Sequence, residues 1–168
     1  MKLFRQIALS ALVTLGTFAT VAYTSSCSKD ACKGVTCNNG GTCSGGTCTC
    51  PTGYTGTDCS GYAYVGSWKG TDNCTNPTAS FTVTMGLDSS STGATKVLVS
   101  NPSGYGSTVQ ISGTLSTDAK TITFTNQTVG AVTITGAMTL TSNTAFTWTY
   151  TTSDTSTVQS CSGNYTKQ

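Results

Sequence analysis

Phe146-Thr147-Trp148-Thr149-Tyr150-Thr151 sets an aromatic ring against a threonine at every step. Successive side chains of a strand point to opposite faces, so this stretch has one aromatic face and one hydroxyl face. The same period of two runs outward in both directions. Phe81, Val83 and Met85 alternate with Thr82 and Thr84, and Val109 and Ile111 with Gln110 and Ser112. Ile122 and Phe124 lie among Thr121, Thr123 and Thr125, and Val132 and Ile134 lead to Met138 and Leu140, again spaced by threonine. Lys96-Val97-Leu98-Val99 is a short apolar run. No stretch of this region carries a 3.6-residue apolar stripe, and Gly, Asn, Asp and Ser clusters separate the runs. Residues 62–168 are therefore expected to form an all-β domain of about eight short antiparallel strands in sequential order.

Upstream the composition changes. Cys32, Cys37, Cys43, Cys48, Cys50 and Cys59 place six cysteines within 28 residues. So short a segment cannot bury enough apolar surface to fold unaided, and disulfides are the expected support. A zinc site would need histidines or paired C-x-x-C spacings, and the chain has neither. No metal or cofactor is expected. Six half-cystines allow 15 pairings, among which spacing does not choose.

The spacing C-x4-C-x5-C-x4-C-x-C-x8-C, with Asn39-Gly40-Gly41-Thr42-Cys43 and Cys48-Thr49-Cys50-Pro51-Thr52-Gly53-Tyr54-Thr55-Gly56, resembles an epidermal-growth-factor-like (EGF-like) module over residues 32–59. The resemblance implies the pairs Cys32–Cys43, Cys37–Cys48 and Cys50–Cys59. Calcium-binding members carry an acidic cluster before the first cysteine. Ser28-Lys29-Asp30-Ala31 holds a single acid there, so no calcium is expected.

Residues 1–26 read as a signal peptide: a basic start with Lys2 and Arg5, an apolar run from Ile7 to Tyr23, then Thr24-Ser25-Ser26. Cys27 directly after them resembles the acylated cysteine of a bacterial lipoprotein, although Thr24 stands where such signals carry an aliphatic residue. Ser28-Lys29-Asp30 resembles the charged export tract of Bacteroidetes-type surface lipoproteins. The cysteine count agrees: of nine, six belong to the module, Cys74 and Cys161 form a natural pair, and Cys27 is left over. Lipid attachment at Cys27, residues 27–31 as a short linker, and an outer-membrane or cell-surface location follow as expectations; the alternative is a secreted chain.

Charge and residue inventory narrow the function. The chain has eight basic and six acidic residues, all six acids being Asp, and neither Glu nor His. From Cys27 onward six Lys balance six Asp, which argues against nucleic acid. Without His or Glu, most hydrolytic constellations cannot be assembled, and the six scattered Asp read as turn caps. No catalytic residue is expected.

Gly66-Ser67-Trp68 resembles the G-x-W motif on the first strand of lipocalin-like barrels. In that family the Trp packs beneath an Arg near the last strand, and this chain has no Arg after Arg5. A Cys74–Cys161 bridge would join the two ends of the β domain, worth about 4–5 kcal/mol on the chain-entropy account. A compact lipocalin-like barrel is expected, with a β-sandwich as the alternative. Trp68, Phe146, Trp148 and Tyr150 are either ligand-facing or core; in so small a barrel, core is expected. Tyr62, Tyr64 and Tyr105 are candidates for exposed sugar-stacking rings. Two functions remain: a non-enzymatic surface lipoprotein whose EGF-like spacer carries a β domain for a protein or glycan partner, or a carrier of a small apolar ligand.

Overall fold

The computed structural model describes residues 30–74, 79–87 and 95–168. The signal peptide, Cys27, the Ser28-Lys29 part of the export tract and Asp88 lie outside the described residues. Four short strands belong to the cysteine-rich part: β1 (Thr42–Ser44) pairs with β2 (Thr47–Thr49), and β3 (Tyr54–Thr55) with β4 (Gly61–Tyr62). Its bridges are Cys32–Cys43, Cys37–Cys48 and Cys50–Cys59.

Eight further strands follow: β5 (Gly66–Cys74), β6 (Ala79–Leu87), β7 (Lys96–Ser100), β8 (Gln110–Leu115), β9 (Thr121–Val129), β10 (Val132–Ser142), β11 (Ala145–Ser153) and β12 (Val158–Lys167). Each pairs antiparallel with the next, and β12 returns to β5, so the sheet closes into an up-and-down barrel. Closure leaves the barrel sheet itself without an open edge. The sandwich alternative is set aside.

The closing seam explains why the bridge sits where it does. Trp68 lies opposite Lys167 and Cys74 opposite Cys161, and the Cys74–Cys161 disulfide ties the seam at its far end. The alternation works as expected: Phe146, Trp148 and Tyr150 are buried, whereas Thr149 and Thr151 on the other face are exposed. Val83, Met85, Val97, Val99, Ile111, Ile122, Phe124, Ile134 and Met138 complete the interior.

Strand direction gives the barrel two distinct ends. The module end holds the turns at 116–120 and 143–144 with the start of β5. The distal end holds the turns at 101–109, 130–131 and 154–157. The cysteine-rich part is fastened to the first of these. Asn143 accepts from the Gly53 amide at 2.9 Å and donates to the Tyr54 carbonyl at 2.9 Å, and the Tyr54 hydroxyl donates to the Thr117 carbonyl. Gly53, at φ 106, lies so close to the Ala119 carbonyl that no Cβ would fit. The Pro51-Thr52-Gly53 turn is therefore a docking element as well as a bend.

Candidate functional site

The interior of the module end is filled. Trp68 meets Phe146 edge-on at 4.9 Å, and Phe146 stacks on Tyr165 at 4.7 Å with ring planes 5° apart. The Trp68 indole N–H donates to the Tyr64 carbonyl at 2.8 Å. Lys167, on the last strand, lies over the Trp68 ring at 5.2 Å and donates to the Ala63 carbonyl at 2.7 Å. No arginine follows Arg5, and a lysine covers Trp68 instead; burial pulls its pKa below the usual value. Tyr64 is a correction. It is not an exposed sugar-stacking ring but fully buried, its hydroxyl 2.8 and 3.0 Å from the carbonyls of Lys120 and Met138. Its position just before β5 tucks it beneath the barrel, and burial raises its pKa. Tyr62 is half-buried and packs against Tyr54 at 5.8 Å, and Tyr105 alone of the three is exposed.

Trp68, Phe146, Trp148 and Tyr150 all face inward, with exposures of 4% or less. Trp148 lies 4.5 Å from Tyr150 and 5.9 Å from Phe124. They fill the core rather than line a roomy apolar chamber, because small inward positions on the neighbouring strands are taken up by rings. Gly70 is one: a Cβ there would strike the Tyr165 ring.

The distal half differs in kind. Asp72, on β5, points inward and is 1% exposed. It is the exception among the acids. Asp30, Asp58, Asp118 and Asp154 cap exposed turns, as the sequence led one to expect. Asp72 instead accepts hydrogen bonds from the Tyr165 hydroxyl at 2.7 Å and from the Tyr150 hydroxyl. It lies over Gly163, where any Cβ would collide with the carboxylate. Burial raises the Asp72 pKa, against the pull of the two tyrosine hydrogen bonds. Tyr150 and Tyr165 are raised in turn, by burial first and then by donating to Asp72.

Around this group three features converge. The Cys74 sulfur, bridged to Cys161, is 3.8 Å from the Tyr150 hydroxyl. The Trp148 indole N–H is fully buried and has no hydrogen-bond partner. A short helical turn, Pro102–Gly104, covers this end, with its Ser103 hydroxyl buried against Tyr150. An orphaned buried donor costs about 1–3 kcal/mol, so each calls for a physical reason; the Ser112 hydroxyl on β8 is another such group. Outside the barrel, an open depression of about 440 Å³ on the β10–β12 wall is lined by Thr135, Gly136, Thr149, Thr151 and Ser160 among others. It carries hydroxyls and no charge.

The parity of β5 was the signal for Asp72: with Trp68 inward, Gly70, Asp72 and Cys74 must share its face.

No family model matches this chain, and no curated relative matches it. Solved structures with a similar strand layout include EF1p2_mFAP2b bound to DFHBI, at 16% identity and TM-score 0.44, covering 63% of this chain and 94% of that one. A redesigned β-barrel, b11L5F_LGL, is 22% identical at TM-score 0.41, covering 63% of this chain and 92% of its own. Another, mFAP1 bound to DFHBI, is 21% identical at 0.42, covering 62% and 95%. At this distance they say nothing about what this barrel holds. Four disulfides point to an extracytoplasmic location.

Proposed function

We propose that this is a non-catalytic surface lipoprotein in which an EGF-like module lifts a binding barrel off the membrane and presents its distal end outward. The observation that supports this most is the docking of the module. Asn143, Gly53 and the Tyr54–Thr117 contact fix it under the filled end of the barrel. With the anchor on the module side, the distal loops face away from the membrane. Acylation of Cys27 supplies the attachment; each buried methylene adds about 0.8 kcal/mol, so several acyl chains hold permanently. The neutral mature chain suits a protein or glycan partner better than nucleic acid.

The test is fractionation with intact mass. The mature chain should begin at Cys27, carry acyl mass, release eight thiols only on reduction and remain with the membrane. Cys27→Ser should move it to the soluble fraction. A wild-type chain that lacks acyl mass and is found in the medium would overturn the anchored reading.

A second reading, a carrier of a small ligand inside the barrel, is favoured by the orphaned Trp148 N–H in the distal half. The filled aromatic layer around Trp68 confines any such ligand to that half.

A further inference from the structure

The distal half contains a buried carboxylate with no cation to answer it. Among the described residues, every lysine is placed elsewhere. Lys69 is exposed on β5, on the opposite face from Asp72; Lys96 and Lys120 lie at the module end; Lys167 covers Trp68; and Lys33 belongs to the disulfide-rich part. Among the described residues, the distal turns at 101–109, 130–131 and 154–157 carry no basic residue. Their one charge is Asp154, so the end is acidic. An unpaired buried charge is costly, and a chain that retains one has reason to recruit a partner of opposite sign.

The surroundings specify that partner. The carboxylate oxygens already accept from Tyr150 and Tyr165. What remains is mainly its Coulomb attraction, within a wall of aromatic faces: Trp148, Tyr150 and Tyr165, with ring centroids 4.5 and 6.1 Å from Trp148. Aromatic faces beside an anion suit a weakly hydrated organic cation. The Trp148 N–H, buried and unpartnered, asks in addition for an acceptor atom. We propose that the distal half of the barrel binds a compact organic ammonium that also carries a hydrogen-bond acceptor, with Asp72 as its counter-charge and Trp148 as its donor. The inference deepens the small-ligand reading of the barrel and is independent of the lipid anchor.

Admission requires the cover to move. The turn over Tyr150 contains Ser103 at φ 51 and is followed by Gly104 and Gly106 at φ 78 and 112, a segment held to the strands by Asn101, which donates to the Thr82 carbonyl at 2.8 Å. Asn101 also accepts from the Gly106 amide at 2.8 Å, so the same side chain pins the segment beyond it. The titratable groups facing Asp72 are Tyr150 from β11 and Tyr165 from β12, with Tyr105 acting on Tyr150 from the cover; no basic group joins them among the described residues. Bound cation favours the ionised carboxylate, so affinity is lost as pH falls through the Asp72 titration.

The experiment is calorimetric titration of the full mature protein in detergent with choline and with its neutral isostere, in which carbon replaces the quaternary nitrogen. Choline should bind at least about tenfold tighter than the isostere, and Asp72→Asn should abolish that preference while Trp148→Phe weakens choline binding. Equal binding of the two would overturn the ammonium assignment while leaving the barrel a small-ligand binder. Binding of neither to a protein that melts cooperatively would overturn both. Should Asp72→Asn fail to fold, the pH profile of the wild type decides: choline affinity lost on acidification, with the isostere unaffected, supports the assignment, and parallel profiles overturn it.

Discussion

The two ends of the barrel are built on one alternating pattern yet handle burial in opposite ways. At the module end every buried polar group described above has an answer: the Trp68 N–H finds the Tyr64 carbonyl, the Tyr64 hydroxyl finds two carbonyls, and Lys167 finds Ala63 and the Trp68 face. At the distal end the Trp148 N–H is unanswered, and Asp72 has donors but no cation among the described residues. Satisfied polar groups rigidify a core, and unsatisfied ones mark where a structure departs from its most stable arrangement for another purpose. The filled end is where the chain is held together, and the distal end is where recognition is to be sought.

Substitutions at the two ends should separate these roles. Trp68→Ala removes the largest ring of the filled end along with its cation and its hydrogen bond, and should cost about 3–5 kcal/mol in thermal or denaturant unfolding. Replacing both Cys74 and Cys161 by Ser opens the seam at the distal end and should cost about 2–5 kcal/mol. The order of these two losses sharpens the comparison, since a larger loss from the disulfide would place the stabilising weight at the distal end. Asn143→Ala, which unfastens the module, should cost about 1–2 kcal/mol and speed hydrogen exchange at Gly53 while leaving the β11 and β12 amides protected. Lys167→Met keeps the aliphatic cover on Trp68 but loses the charge and the bond to the Ala63 carbonyl, so a loss of about 1–2 kcal/mol is expected.

Much of the barrel was legible because threonine alternates so regularly with apolar residues that each strand announces its inward face. The module was legible from its cysteine spacing. Parity along β5 could also have placed Asp72 inside, but a lone acid among Thr and Asn in a chain of turn-capping aspartates reads as one more cap. Lys167 shares its face with Tyr165 and Cys161 by the same parity, and was missed because the resemblance directed attention to an arginine. What no local pattern carries is closure. Register across the β5–β12 seam brings Lys167 to Trp68, and Asp72 to Tyr150 and Tyr165, from positions far apart in the chain. Nor does Asn143, the first residue of an ordinary two-residue hairpin turn, advertise that it holds the module.

The two kinds of carboxylate offer the most direct check. Asp154, exposed and accepting from the Ser156 and Thr157 amides, is lowered to about 2, so its contribution to stability is present above the ordinary Asp value and lost as pH falls toward about 2. Asp72 is raised by burial, so the folded chain holds that proton more tightly than the unfolded one. Its contribution is complete below the ordinary value of 3.8 and is lost as pH rises through the folded pKa. The decisive measurement is unfolding free energy against pH for the wild type and Asp72→Asn. The account predicts that the wild type loses stability relative to the variant as pH rises from 3.8 upward. A difference that stays flat, or grows in favour of the wild type with rising pH, would mean that Asp72 is a satisfied structural carboxylate and that the distal end is no less settled than the filled one.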